Sequence, residues 1–347
     1  MNFDSQRLKQ WFEEEKRELP WRDNPSPYAV WVSEIMLQQT QVAVVVPYFQ
    51  RWMSLFPTIE ALAKAPLDVV IKCWEGLGYY ARARALHTGA QYVVDHFQGI
   101  LPSGNDELRK IKGIGPYTVG AIRSFAFKQK APAVDGNVMR VLSRYFLISD
   151  DIGKSQTIKK IWELAEAILP DVEPWTFNEA LIELGATICR RKPNCSICPL
   201  KDSCQAYVEG NPTDFPYQSK KVKIESLQRA VAIISHTDRL LIRREEKGKI
   251  MSDLHEFPYL ELTSPELAID ALERHIQSSM GLQVSLQSVL DAVSHSFTRF
   301  NVQLFPAFFS CINACEVPGY QWMKISDLEQ LAFSSGHRRI FEKFLKK

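Results

Sequence analysis

Four cysteines, Cys189, Cys195, Cys198 and Cys204, fall in the run CRRKPNCSICPLKDSC, which holds four of the seven cysteines in the 347-residue chain. Thiolates are soft ligands. Clustered this tightly, they suit a metal ion or an iron–sulfur cluster better than four unrelated buried thiols. A disulfide pair is not expected, because no secretory signal precedes them. Structural zinc sites usually combine two closely spaced Cys pairs, and only Cys195 and Cys198 are so spaced here. Arg190, Arg191, Lys192 and Lys201 stand around the thiols against one acid, Asp202. A loop this basic suits a phosphate backbone, although charged loops are usually just solvated.

Two carboxylates and one turn add further chemistry. Glu34 interrupts the apolar stretch Val30–Leu37. A carboxyl there either sits on a solvent face or is buried, and burial would raise its pKa and suit it to general acid work. Asp135 precedes the amphipathic stretch GNVMRVLSRYF, where its default role is a helix N-cap. A capped carboxylate is expected to stay ionised at pH 7. Gly113–Ile114–Gly115, with Pro116 placed as the first residue of the next helix, reads as a tight turn. Its backbone N–H groups would approach an anion closely. An ordinary helix–helix turn has the same local pattern.

The elements that must carry these residues fall into two textures. Up to about residue 210 apolar residues recur at three and four spacing, in 28–40, 59–75, 105–127, 136–147, 155–169 and 175–188. The stretch GNPTDFPYQSKKVKIES then reads as a linker. Beyond it, 229–243 reads as a β-hairpin turning at His236–Asp238, and 302–312 as a strand. A helix opens at Ser264–Pro265, and helices at 326–332 and 336–345 close the chain. The expected organisation is an all-α domain over 1–210, a linker over 211–226 and a smaller α+β domain over 227–347. Net charge is only +2, so nucleic-acid affinity must come from local patches. No apolar run reaches the ~20 residues of a membrane span. A soluble, cytoplasmic monomer with no membrane association is expected.

The cysteine spacing resembles the cluster loop of the endonuclease III and MutY DNA repair glycosylases. The first gap is one residue shorter than theirs. The turn at Gly113 and Gly115 resembles their helix-hairpin-helix, which holds DNA phosphate without regard to sequence. Lys112 stands where the family often has Pro. PWRDNPSPYAVWVSEIMLQQTQV (20–42) is similar to the MutY signature, with Gln41 where Arg is frequent. Together these identify the chain as a member of the MutY family of adenine DNA glycosylases, which remove adenine mispaired with 8-oxoguanine or guanine. The resemblance implies an all-α helix-hairpin-helix glycosylase fold with an iron–sulfur loop. It also implies a 4Fe–4S cluster on Cys189, Cys195, Cys198 and Cys204, and a partner in double-stranded DNA carrying an adenine:8-oxoguanine mismatch.

It further implies residue roles. Adenine must be flipped out of the duplex before its bond is cut. Glu34 would protonate the leaving base, and Asp135 would stabilise the oxocarbenium-like sugar, with Tyr117 and Asn137 positioning Asp135. Trp21, Arg22 and Glu179 match residues lining the adenine pocket. Gln38, Gln39, Thr40, Leu77, Tyr79, Lys112, Gly113 and Gly115 match DNA-contacting positions, with Arg82 and Arg84 in the loop 76–84 as phosphate contacts. Tyr117 stands where lyase relatives carry a Lys. A Tyr forms no Schiff base, so an essentially monofunctional glycosylase is expected.

The C-terminal part resembles the Nudix-type fold that the family uses to read 8-oxoguanine. LHEFPYLEL (254–262) has His255 where the family has Trp. The paired metal-binding carboxylates of an active Nudix hydrolase are missing near 271–282. Recognition rather than hydrolysis is therefore expected, with Phe297, Thr298 and Arg299 in a loop where Phe-Ser-His is common. Three rival readings stand beside it: an endonuclease III-type oxidised-pyrimidine glycosylase and lyase, a non-catalytic iron–sulfur DNA-binding protein, and, more weakly because the acidic helix is missing, a Nudix nucleotide hydrolase.

Overall fold

The structure is a computed structural model that describes residues 3–22, 25–219, 223–246, 248, 251–263 and 268–346. Its contacts divide the chain into two units, residues 1–64 with 85–221, and residues 65–84 with 222–347. The first 210 residues carry α1 (Ser5–Glu15), α2 (Pro27–Leu37), α3 (Val42–Leu55), α4 (Ile59–Lys64), α5 (Leu67–Trp74) and α6 (Ala81–Phe97). They continue with α7 (Asn105–Lys110), α8 (Pro116–Ala121), α9 (Gly136–Tyr145), α10 (Ser155–Ala167), α11 (Pro174–Thr187) and α12 (Gln205–Val208). Helical periodicity runs over 59–75 without a break. The stretch forms two helices, because Pro66 lacks the N–H to continue α4 and starts α5 instead.

Helical periodicity builds the core of the first unit. Val138, Val141, Leu142 and Tyr145 make one face of α9, and Phe177, Ala180, Leu181 and Leu184 make one face of α11. These faces pack with Leu8 and Phe12 of α1 and Ile161 and Ala165 of α10. Gly185 permits the approach of α11 to α9, since a Cβ there would lie 2.6 Å from Asn137 Cβ. α2 follows a different rule. Tyr28, Val30, Trp31, Val32, Ile35 and Met36 are all buried, so the helix is enclosed on every side and Glu34 has no solvent face to occupy.

The second unit is built on a mixed sheet of β1 (Glu225–His236), β2 (Arg239–Arg244), β3 (His255–Glu256), β4 (Tyr259–Glu261), β5 (Val284–Val289), β6 (Val293–Phe297), β7 (Phe300–Cys311) and β8 (Gln321–Lys324). The helices α13 (Ala268–Met280), α14 (Ile325–Leu328) and α15 (Ser335–Leu345) accompany it. The expected opening of a helix at Ser264–Pro265 lies outside the described residues. The order is β3-β2-β1-β7-β5, with β4 also on β1, β6 on β7 and β8 on β2. β1 and β7 pair in parallel, and β1 turns into β2 through Thr237–Asp238. Strand alternation makes two cores. Ala230, Ala232, Ile234, Ala307 and Phe309 face Leu272 and Ile276 of α13. Val231, Ile233, Val302 and Leu304 face Ile340 and Phe341 of α15.

Two expectations in this unit are corrected. The segment 293–303 is not a loop but a hairpin, with Phe297 paired to Phe300 and only Thr298–Arg299 turning. Its inward Val293 and His295 alternate with exposed Ser294 and Ser296, which is a strand pattern. Arg82 and Arg84 are not loop residues but lie in the first turn of α6. Arg82 Nη2 donates to the carbonyls of Leu77 at 3.2 Å and Gly78 at 3.1 Å. Arg84 Nη1 donates to the Ser252 carbonyl at 3.0 Å and pairs with Asp253 at 3.4 Å. Both guanidiniums are thus engaged by protein.

Candidate active site

A cleft of about 1280 Å³ in the helical unit is lined by Trp21, Arg22, Glu34, Gln38, Gln39, Thr40, Gly113, Gly115, Tyr117, Asp135, Asn137 and Glu179. All the catalytic and adenine-lining candidates therefore line one cavity, together with Gln38, Gln39, Thr40, Gly113 and Gly115. Lys112 is exposed beside it, on the approach to α8. Leu77 and Tyr79 belong to the other unit, where the Leu77 side chain is buried and Tyr79 is exposed, with φ +50°. Leu77 thus presents no exposed apolar group to a duplex as it stands.

Glu34 lines the cleft and is 6% exposed. The Tyr117 hydroxyl donates to its Oε2 at 2.5 Å. Burial raises the Glu34 carboxyl from 4.5 to about 7. The charges of Asp135 and Glu179 push the same way, while the Tyr117 hydrogen bond and Arg22 oppose it. Such a carboxyl carries a proton near neutral pH and has a route to give it away. Burial and the adjoining carboxylates hold the Tyr117 hydroxyl well above its ordinary pKa, so it remains a hydrogen-bond donor.

Asp135 performs its local structural task. It caps α9, accepting from the Val138 N–H at 2.7 Å. Asn137 Nδ2 donates to its other oxygen at 2.7 Å. Burial pushes the Asp135 carboxyl up, against these donors and Arg140. Tyr117, expected to position Asp135, bonds Glu34 instead, and Asn137 alone of the two holds Asp135. Asn137 is itself fixed, since Arg140 Nη2 donates to its Oδ1 at 2.8 Å while Arg140 Nε reaches the Cys189 carbonyl at 2.7 Å. At the mouth of the cleft Gly113 turns with φ +89°, a conformation that glycine supplies at least cost, and Pro116 opens α8 as expected. No atom would meet a Cβ at Gly115, so the backbone there stands open.

Arg22 is no surface arginine. Its Nε lies 3.3 Å from Glu179 Oε1, and its Nη2 donates to Glu183 at 2.7 Å. Burial raises the half-buried Glu179, while Arg22 and Lys128 oppose the shift. Glu183, together with Arg17, escaped the sequence reading. It carries the same signal as Glu34, a carboxylate inside the apolar helical run Ala180–Ala186.

Cys189, Cys198 and Cys204 pack at the edge of the core that includes α9, α10 and α11, and Cys195 lies close enough to feel the charge of Cys189. Cys189 follows α11, Cys195 and Cys198 flank a single turn of 3-10 helix, and Cys204 precedes α12. Burial pushes the Cys198 thiol up to about 12, and the three neighbouring thiols add to the shift. The buried Arg144 braces the loop, donating to the carbonyls of Arg190 and Arg191 and standing 3.3 Å from Cys189 Sγ. Among the described residues no three ligand-type side chains converge to hold a single metal ion.

Known proteins place this geometry. Residues 32–167 match the HhH-GPD superfamily of base excision DNA repair proteins, and residues 229–343 match the NUDIX domain. In solved structures the likeness covers 59% of this chain and 95% of a thermostable thymine-DNA glycosylase, at 29% identity and a TM-score of 0.54. An endonuclease III trapped on DNA shares the fold at a TM-score of 0.52. The class is therefore a helix-hairpin-helix base-excision glycosylase with a Nudix-like domain. Over 343 residues the chain is 31% identical to the adenine DNA glycosylase of Buchnera aphidicola subsp. Schizaphis graminum, covering 95% of this chain and 94% of that one. Over 210 residues it is 45% identical to the mouse adenine DNA glycosylase, and there it spans 41% of the longer relative. The chain belongs to the adenine DNA glycosylase family. No described helix is long and apolar enough to cross a membrane.

Proposed function

We propose that the protein removes adenine mispaired with 8-oxoguanine or guanine from duplex DNA, without appreciable strand cleavage. The observation that carries this reading is one cleft holding a buried carboxyl with a pKa near 7, a hydroxyl bonded to it, and a second, capped carboxylate. Adenine flipped into the cleft would meet Glu34, which donates its proton at N7 while the glycosidic bond breaks. Positive charge then develops on the sugar, and Asp135, held by Val138 and Asn137, stabilises it. The hydroxyl of Tyr117 keeps the Glu34 carboxyl oriented. Gln38, Gln39 and Thr40 at the cleft rim, with Tyr79 and Lys112, contact the duplex, and the backbone at Gly113 and Gly115 receives a phosphate. Phe297, Thr298 and Arg299 at the hairpin tip of the Nudix-like unit read the 8-oxoguanine.

The thiols at Cys189, Cys195, Cys198 and Cys204 fit a 4Fe–4S cluster. All four are soft donors, and each of the later three feels the charge of Cys189. Bound there, the cluster would cross-link the loop that follows α11 and fix its basic residues against DNA. Protein purified anaerobically should carry about four irons per chain, and one zinc with no iron would overturn this assignment.

The deciding experiment is single-turnover base release from duplexes with adenine opposite 8-oxoguanine, with borohydride trapping in parallel. Release without trapping is the expected result. No release, or efficient trapping as a Schiff base, would overturn the reading and favour a binding module or a lyase respectively.

A further inference from the structure

Glu183 is fully buried on α11, one turn beyond Glu179. Its carboxylate is bound twice over. Arg17 approaches it with Nε at 2.5 Å and Nη2 at 3.1 Å, and Arg22 Nη2 donates at 2.7 Å. Burial opposes the charge, but the two guanidiniums hold the carboxyl below its ordinary range. Bracing α11 against the chain after α1 would need only the bidentate Arg17 pair. The second cation does more. Arg22 is tied at Nη1 to the Arg17 carbonyl at 2.7 Å, and its Nε edge faces Glu179 at 3.3 Å. Arg17, Arg22, Glu179 and Glu183 all line the cleft that contains Glu34.

We propose that Glu183 is a positioning residue for base release: by holding Arg22, it sets where that guanidinium lies in the wall beside Glu34. This rests on the reading of Glu34 as the acid. Four groups act on the charge of Glu34: Tyr117 on α8, Asp135 at the start of α9, Glu179 on α11, and Arg22 in the segment before α2. Glu179 and Asp135 make Glu34 hold its proton more tightly, and Arg22 makes it hold it less. The balance depends on where the Arg22 guanidinium points. A planar fork bonded to two carboxylates has a defined direction, and one bonded to a single carboxylate is freer. In Glu183→Gln an anion is lost and Arg22 is released toward Glu179 and Glu34. Both changes weaken the hold of Glu34 on its proton.

The test is the pH profile of single-turnover adenine release by the full chain. In Glu183→Gln the alkaline limb should move to lower pH by about half a unit, which is roughly a threefold loss at pH 8. Arg22→Gln removes the cation and should move the limb to higher pH. Arg17→Gln leaves the Glu183–Arg22–Glu179 chain intact and should move it less than Glu183→Gln. If Glu183→Gln alone does not fold, the double variant Glu183→Gln/Arg17→Gln takes its place; it also removes the cation left unpaired, so a smaller shift in the same direction is expected from the release of Arg22. A limb that coincides with wild type, or that Arg17→Gln shifts equally, would overturn the proposal. Absence of adenine release by the wild-type protein would instead sink the assignment of Glu34.

Discussion

The cleft around Glu34 and the hairpin tip at Thr298–Arg299 hold their polar groups in opposite environments. Glu34 is 6% exposed, and its proton is governed by four protein groups. The Arg299 side chain is 55% exposed, with one ion pair to Glu225 at 3.3 Å and the Phe300 ring beneath it. Acid chemistry needs a desolvated carboxyl, because water would return its pKa to the ordinary range. Recognition of a base within a duplex needs a protruding group that loses little water until the partner arrives. Changes in the cleft should therefore act on rate by orders of magnitude, while changes at the tip should act on discrimination by small factors.

The largest effect is expected from Glu34→Gln. The amide keeps the shape and can still accept from Tyr117, but it has no proton to give. General acid catalysis contributes roughly 10²–10⁴-fold, and at least that loss is expected in single-turnover base release, with mismatch binding retained. Near-normal release would move the acid elsewhere and dissolve the contrast between the two regions.

Asp135→Asn comes next, with a loss of roughly 10²–10³-fold by analogy with other charge-stabilising groups. Asn caps helices about as well as Asp, so the melting temperature should change little. A large drop in melting temperature alongside the lost rate would mean that Asp135 is chiefly a cap. The wild-type profile is a gentler probe of the same cleft. Glu34 is protonated below about 7 and ionised above it, so release should fall about tenfold for each pH unit beyond that point. A rate still flat at pH 9 would show that Glu34 is not the acid.

Much of the cleft was readable because local pattern and burial coincide there. The turn at Gly113, Pro116 at the start of α8 and the cap at Asp135 all stand where the residue types demand. The choice between a solvated and an enclosed Glu34 could not be made from one carboxylate. It follows from the whole of α2, whose apolar residues leave no polar face. Glu183 could have been found by the same rule, since Leu181, Leu184 and Gly185 around it are buried. What the sequence hid was partnership. The protein partners of Arg82 and Arg84 could not be read, because a basic side chain carries no mark of the carbonyl or carboxylate it will meet. The grouping of residues 65–84 with the C-terminal unit is of the same kind, resting on contacts such as Arg244 with Asp68 and Arg338 with Glu75. The short strand β6 was missed because its outward positions are serines, which read as loop.

The smallest effect is expected at the hairpin tip. Thr298 turns with φ +48°, unfavourable for a β-branched residue, so alanine there should not weaken the fold. Replacing Arg299 removes an exposed ion pair with Glu225, worth little in stability. A loss in Thr298→Ala/Arg299→Ala can therefore be read as a loss of contact. Threonine keeps a hydroxyl able to hydrogen-bond the distinctive edge of the lesion, and arginine is a permanent cation that attracts phosphate at any working pH. The phosphate contribution shifts binding to both mismatches alike and depends on salt, so the informative quantity is a ratio at fixed salt. The preference for adenine:8-oxoguanine over adenine:guanine should fall by roughly three- to tenfold, the scale of one hydrogen bond. Base release from bound substrate should change less, since Glu34 and Asp135 are untouched. An unchanged ratio with weaker binding to both duplexes would reduce the tip to a phosphate contact and leave the lesion to be read by another part of the molecule.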